Sequence, residues 1–232
     1  IDIKNMKVKN KKNLTIRIIL LIISIMINGF SVSVYVKTNW GVSTNSSIPF
    51  VISSIVPALS LGMTTIMFQI LLLIILVLSC GFKKEYLISF VLGCFFGSVI
   101  DIWDFLLTKI HIEALHPIIL YIIAFFTLAF GIALTLATEL PTLPYDYFTK
   151  DIAAKTGKTI GFIKTASDIA YVVISIILSY LITGKIYGVG IGTIISMLFT
   201  GIFVHLFHKF IKKYLKLNNQ EAYLAKTNFS NG

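Results

Sequence analysis

Charged residues are scarce in this 232-residue sequence: Asp, Glu, Lys and Arg together make up only 13% of it. A soluble globular domain usually carries about twice that share, because charge covers the surface that faces water. Hydrophobic residues, in contrast, make up 56% of the chain. This share excludes an intrinsically disordered protein, since disordered chains are poor in apolar residues. The composition predicts an integral membrane protein with most of its mass in the bilayer.

Cysteine and the motifs of common enzymes are also lacking. Cys80 and Cys94 lie in apolar segments, which argues against a disulfide framework. The sequence contains no Walker A motif, dinucleotide fingerprint, nucleophile elbow or His-Glu-x-x-His motif. His205 and His208 share one helical face, but too few Cys, Asp or Glu residues accompany them to suggest a metal site. We therefore expect a protein that is not an enzyme and needs no metal or cofactor.

Six segments are long and apolar enough to cross the roughly 30 Å core of a bilayer, which takes about 20 helical residues. The first is interpreted as an uncleaved span, because no small-x-small cleavage site follows it. The pattern predicts an all-α, polytopic membrane protein. The six predicted spans are residues 17–36, 63–81, 86–107, 117–138, 162–183 and 187–208.

Positive charge is unevenly distributed between the loops that join these spans. The net charge is +10, which in a soluble protein would suggest a nucleic-acid partner. Sixteen of the 20 Lys and Arg residues fall on one side of the predicted membrane and three on the other. Cytoplasmic loops carry such an excess. We therefore predict a bacterial cytoplasmic membrane protein with both termini cytoplasmic and no nucleic-acid partner.

Residues 42–62 do not fit a simple span. They are moderately apolar but contain six serines and two prolines. A seventh span here would reverse the topology of everything that follows and remove the charge asymmetry. We predict instead a short helix that is tucked into the protein or lies at the membrane interface.

The sequence also contains signs of an internal repeat. Residues 17–24 resemble residues 117–124, and the same offset of 100 aligns residues 40–43 with 140–143. Each half then contains three spans, and an odd number places the second half upside down relative to the first, as in many secondary transporters. The predicted organisation is a basic cytoplasmic arm at 1–16, a first half at 17–107, an outer loop at 108–116, a second half at 117–210 and a polar cytoplasmic tail at 211–232.

Two short motifs flank the fifth span. The fourth span ends in Glu139-Leu-Pro-Thr-Leu-Pro-Tyr-Asp146, and Gly188-Val-Gly-Ile-Gly-Thr193 precedes the last span. These motifs resemble the Gly-x-x-Pro-Trp-Asp and Gly-Leu-Gly-Thr-like segments of the YczE/YyaS/YitT group of bacterial multi-pass membrane proteins, although Pro141 replaces the usual glycine. The resemblance covers roughly residues 17–208. It implies a fold and a membrane location, but no reaction.

Polar residues at matching positions of the two halves form a candidate solute or gating path. Breaks at such positions are the best sequence indication of a transporter site. Asp146 corresponds to Ser46, and its alternative role is that of a helix N-cap. Lys164 and Asp168 are four residues apart and can pair on one helical face, either in the interior or at the interface. The candidate path residues are Ser43, Thr44, Asn45, Ser46, Gln69, Pro144, Tyr145, Asp146, Lys164 and Asp168.

Asp101, Asp104 and His205 form a second candidate set. Asp101 of the third span corresponds to His205 of the sixth, so a carboxylate and an imidazole at matching depths could relay protons. The alternative is simple hydration in the headgroup region. Gly93 and Gly97 allow close helix packing, and a homodimer through them is an option.

Together these features predict a small-solute secondary transporter or permease of unknown substrate, with Asp168 as the first candidate for proton coupling. Its partners would be the lipid bilayer and the solute. The alternative is a non-transporting membrane partner that docks an exporter or cytoplasmic enzymes.

Overall fold

The computed structural model describes the backbone of residues 3–215 and the side chains of residues 14–213. This part of the chain forms eight α-helices and one 3-10 turn, and it contains no β-strand. In chain order the elements are α1 Ile3–Lys37, α2 Thr44–Ile55, α3 Leu61–Cys80, α4 Glu85–Lys109, the 3-10 turn Ile112–Ala114, α5 Pro117–Thr138, α6 Pro144–Thr156, α7 Ile160–Thr183 and α8 Ile191–Leu215.

Six of these helices, α1, α3, α4, α5, α7 and α8, are long and apolar enough to cross a membrane. The prediction of an all-α, polytopic membrane protein is therefore confirmed. α3 and α7 begin two residues earlier than predicted, and α8 begins four residues later because Gly188 adopts a positive φ in the loop before it. The described part of the basic arm 1–16 continues α1 as helix, whereas the tail 211–232 lies outside the described residues from residue 216 onward.

The remaining two helices, α2 and α6, contain only 12 and 13 residues and are too short to cross a membrane. Residues 42–62 are thus not a seventh span, and the prediction of a short helix there is confirmed. Both helices follow an extended N-cap residue, Ser43 and Leu143 respectively. Because Leu143 holds that position, Asp146 lies in the first turn of α6 and is not its N-cap.

The bundle has two ends, which we name after lysines: the Lys37 end, where α1 and α4 finish, and the Lys83 end, where α3 finishes and α4 begins. α1 and α5 form the central helix pair. α4 packs on α1, and α8 packs on α5. α2 packs between α3 and α7, and α6 likewise packs between α7 and α3. The two short helices therefore lie inside the bundle, between the same pair of long helices.

α3 and α4 approach each other closely. A Cβ on Gly97 would collide with the side chain of Ile66 and the carbonyl oxygen of Gly62, and a Cβ on Gly93 would collide with the amide of Gln69. Both glycines are therefore covered by neighbouring helices of the same chain. A homodimer stays a prediction, but Gly93 and Gly97 are not available to form it.

We expect Gly97→Ala to lower the midpoint of thermal denaturation, because one added methyl group must separate α3 from α4. Overpacking of this kind costs about 1–3 kcal/mol. Gly201→Ala in α8 is the matched control, since nothing lies within 4 Å of a Cβ at that position. The control should be neutral or slightly stabilising, by up to about 1 kcal/mol. Equal midpoints for the two variants in detergent would contradict the close approach.

Candidate functional site

The first turn of α2 lies against the middle of α7. The Ser175 hydroxyl of α7 donates a hydrogen bond to the Ser47 hydroxyl of α2 over 2.9 Å, and both side chains are fully buried. Two residues earlier on α2, Asn45 accepts a hydrogen bond from Lys164. Since Ser175 is in the interior of a 24-residue helix, α2 begins inside the bundle and not at its surface.

Three of the predicted path residues meet at this point: Asn45, Lys164 and Asp168. The Lys164 ammonium donates to Asp168 Oδ1 over 2.5 Å and to Asn45 Oδ1 over 3.2 Å. Asp146, in the first turn of α6, makes no hydrogen bond or ion pair with Lys164 but lies within reach of its charge. We call these four residues the Lys164 cluster; Lys164 bonds to the start of α2, and its charge also acts on the start of α6.

A polar stripe runs along α7 from this cluster. Lys164, Asp168, Tyr171, Ser175 and Ser179 recur every three to four residues, which places them on one helical face. Asp168, Tyr171 and the two serines are all buried. Tyr171, Ser175 and Ser179 were not among the predicted path residues, although their spacing from Asp168 indicates the same helical face.

The other predicted path residues of α2 are satisfied locally. The Ser43 hydroxyl donates to the Ser46 hydroxyl over 3.0 Å, and the Ser47 hydroxyl donates to the Thr44 carbonyl over 2.8 Å. All four side chains are buried. They line the start of α2, but only Asn45 among the predicted residues of this break reaches a charged group on another helix.

Main-chain hydrogen bonds tie the segment before α2 to the start of α8. The Val42 N–H donates to the Gly188 carbonyl over 2.9 Å, and the Gly192 N–H donates to the Trp40 carbonyl over 2.9 Å. The Thr193 hydroxyl donates to the Val42 carbonyl over 2.8 Å. The glycine-rich motif at 188–193 therefore stabilises the first break, the non-helical residues 38–43 between α1 and α2. The sequence of the motif did not reveal this role.

The second break, the non-helical residues 139–143 between α5 and α6, leads to the side chain of Gln69 on α3. Gln69 is 2% exposed, and neither atom of its amide has a hydrogen-bond partner. Pro144, the first residue of α6, and Gly93 of α4 lie against it. These three residues line a narrow, partly open cavity whose other walls are apolar, and it is too narrow to admit a water molecule. Tyr145 packs edge-on against Phe96, with ring centroids 6.4 Å apart. Gln69 therefore forms no hydrogen bond with the Lys164 cluster.

The far end of α6 is fastened to the Lys83 end of the bundle. The carboxylate of Asp151 accepts hydrogen bonds from the Tyr86 hydroxyl over 2.5 Å and from the Lys83 ammonium over 2.7 Å. Lys155 also donates to the carbonyl of Ser79. Burial opposes ionisation of Asp151, but the two hydrogen bonds outweigh it and hold the pKa of this carboxyl below its usual value. No motif in the sequence predicts this contact.

Asp101 and Asp104 have structural partners. Asp101 accepts hydrogen bonds from the Ser60 hydroxyl and the Gly62 N–H, over 2.6 and 2.7 Å, and so holds the start of α3. Asp104 forms an ion pair of 3.0 Å with Lys37. His205 is exposed on α8, which packs on α5, whereas α4 packs on α1 and α3. The proton relay between them stays a prediction.

A family model matches residues 15–209, and its description is "Family of unknown function (DUF6198)". The chain belongs to the DUF6198 family. The DUF6198 match covers both short helices, the Lys164 cluster and the contacts of Gln69 and Asp151. No curated protein and no solved structure matches the sequence.

Gln69→Met should raise the midpoint of thermal denaturation. A buried amide without partners costs about 1–3 kcal/mol, and methionine has a similar shape without polar groups to satisfy. Thr65→Val is the matched control on α3, because the Thr65 hydroxyl already donates to the Leu61 carbonyl over 2.7 Å. A Gln69→Met protein that is less stable than the Thr65→Val protein would mean that Gln69 has a partner in the membrane.

Asp151→Asn should destabilise the protein at neutral pH by about 1–3 kcal/mol, because two donors lose a buried carboxylate. The folded-state pKa of Asp151 lies below the unfolded value of about 3.9. The stabilisation that the Asp151 carboxylate contributes is therefore complete above about pH 4. It is lost as the pH falls through the pKa of Asp151 in the folded protein. Unfolding followed against pH should show this loss for the parent and not for Asp151→Asn. Asp104→Asn, with a carboxylate 42% exposed, should have a smaller effect.

Proposed function

We propose that this protein is a small-solute secondary transporter or permease, built from two inverted halves that move around the Lys164 cluster. The observation that carries the proposal is that α2 and α6 both begin inside the bundle, between α3 and α7, and that Lys164 of α7 hydrogen-bonds to the first turn of α2. Interrupted helices that begin near the middle of the membrane form the binding sites of many transporters.

The arrangement of the helices supports two related halves. α2 and α6 begin 100 residues apart, and α3 and α7 begin 99 residues apart. The pairs of packed helices also match between the proposed halves. The contact of α1 with α4 corresponds to that of α5 with α8, and the contact of α2 with α7 corresponds to that of α6 with α3. α6 runs to the Lys83 end, and α2 belongs to the half of opposite orientation. Movements of the two short helices would therefore open routes to opposite sides of the membrane.

The distribution of charge supports an orientation. Arg17, Lys83 and Lys212 lie at the Lys83 end, where Arg17 and Lys212 pair with Glu139. We propose that this end faces the bacterial cytoplasm, which places both termini there. We also propose a relationship to the YczE/YyaS/YitT group, on the strength of Pro144-Tyr145-Asp146 and the motif at 188–193.

In this proposal the Lys164 cluster binds the solute, and its two neighbouring helices control access to it. α2 would move against α7 to open the route to the Lys37 end, and α6 would move against α3 to open the route to the Lys83 end. Asp168 is the first candidate for proton coupling, because it is an ionisable group 7% exposed on a helix that both short helices contact.

One observation favours the second candidate function, a non-transporting membrane partner. The cavity beside Gln69 is too narrow for water, as expected where α6 has only a structural role. The two candidates differ in whether the start of α2 ever becomes accessible from both sides of the membrane.

Cysteine labelling tests this difference without knowledge of the solute. In a Cys80→Ser, Cys94→Ser background, Ser46→Cys places a thiol of similar size in the first turn of α2. A membrane-impermeant thiosulfonate is then applied to vesicles of either orientation. We expect the thiol to react from both sides, because alternating opening exposes the cluster to each side in turn.

Ser54→Cys on the same helix is the matched control. Its side chain is exposed near the far end of α2, so it should react from one side only. Reaction of Ser46→Cys from neither side, or from the same single side as Ser54→Cys, would rule out alternating access and favour the non-transporting partner.

A further inference from the structure

We infer that the Lys164 cluster takes solutes with a primary ammonium group, and that the Lys164 ammonium holds the place of that group while the solute is absent. This inference rests on the proposed function, because it names the chemistry of the solute that the cluster would carry.

The groups around the Lys164 ammonium are hydrogen-bond acceptors. Asp168 Oδ1 lies 2.5 Å from Nζ and Asn45 Oδ1 lies 3.2 Å from it. The carboxylate of Asp168 is only 10% exposed. An ammonium group has three N–H donors and no acceptor, and it therefore matches a set of oxygens that converge on one point.

The charges of the cluster also favour a cation. Asp146 and Asp168 contribute two negative charges, and the nearby starts of α2 and α6 contribute about half a positive charge each. Without Lys164 the sum is roughly one negative charge, which a single ammonium group neutralises. A carboxylate in the same place would face two aspartates, and a buried unpaired charge of either sign is strongly unfavourable.

Lys164 can leave the cluster, whereas its partners cannot. Its side chain is 43% exposed and starts from the second turn of α7, so its flexible stem can carry the ammonium toward the Lys83 end of the bundle. Asp168 stays in place because it belongs to the buried stripe of α7. Exchange of one ammonium for another leaves the number of charges unchanged, and the departing lysine regains contact with polar surroundings.

The wall next to the cluster suits a short apolar body. Tyr171 lies one turn beyond Asp168 and packs against Phe68, with ring centroids 5.2 Å apart. Ile48 and Leu72 complete this buried group. A small alkylammonium would place its charge among the oxygens and its carbons against these side chains.

Thermal denaturation of the full-length protein in detergent tests the inference. Three salts are compared at equal ionic strength: propylammonium chloride, tetraethylammonium chloride and tetraethylammonium propionate. Propylammonium should raise the midpoint of the parent protein, whereas the bulky cation without N–H donors and the carboxylate should not. Lys164→Met should bind propylammonium about tenfold more tightly if lysine occupies the cluster in roughly nine molecules of ten.

Three variants complete the design. Lys164→Thr, which introduces the residue found at the corresponding position 65, replaces Lys164→Met if that protein does not fold. Lys150→Met changes an exposed lysine on α6 and should behave like the parent. Asp168→Asn, combined with the Lys164 variant, should lose the response to propylammonium.

The outcomes separate this inference from the proposed function. Stabilisation by propionate that disappears in the Lys164 variants would overturn the inference and keep the cluster as a solute site. An equal response of the Lys164 variants and the parent to propylammonium, or no response to any salt, would also overturn it. The labelling of Ser46→Cys decides independently whether the protein transports.

Discussion

A helix that begins inside a membrane-spanning bundle leaves backbone N–H groups that water cannot reach, and the chain before it has carbonyl groups with the same need. Both short helices impose this constraint, because residues 38–43 and 139–143 are not helical. The first break is satisfied by the start of α8, through Val42 and Trp40. The second is satisfied in part by Ser89 of α4, whose hydroxyl donates to the Thr142 carbonyl over 2.8 Å. The glycine-rich start of α8 and the position of α4 both follow from this need.

The two short helices are held at opposite ends. α2 is held at its start, where the backbone before it bonds to residues 188–193 and Ser47 bonds to Ser175. α6 is held at its finish, where Asp151 and Lys155 bond to the end of α3 and the loop that follows. The start of α6 instead meets an unpaired glutamine and a narrow cavity. The two short helices are therefore subject to different mechanical constraints.

The parts of this structure that could be predicted from sequence are those that depend on neighbours along the chain. Long apolar runs indicated the six spans, serines and prolines indicated α2, and a spacing of four indicated the pairing of Lys164 with Asp168. Contacts between distant segments could not be predicted in the same way. Nothing in the sequence brings Asn45 to Lys164, Asp101 to Gly62 or Asp151 to Tyr86, because each contact depends on how whole helices pack. The sequence also did not indicate that Asp146 lies in the first turn of α6, because leucine is an unusual residue at an N-cap.

The helix pair α3–α4 differs in one respect from the helix pair α7–α8. α3 and α4 pack along much of their length, and Asp101 joins them at the start of α3. α7 and α8 make few contacts with each other, although both are apolar and long enough to cross the bilayer. The apolar side chains that α7 and α8 expose between them can be covered by the acyl chains of the bilayer. We therefore expect the spacing of α7 from α8 to respond to the thickness of the bilayer in which the protein resides.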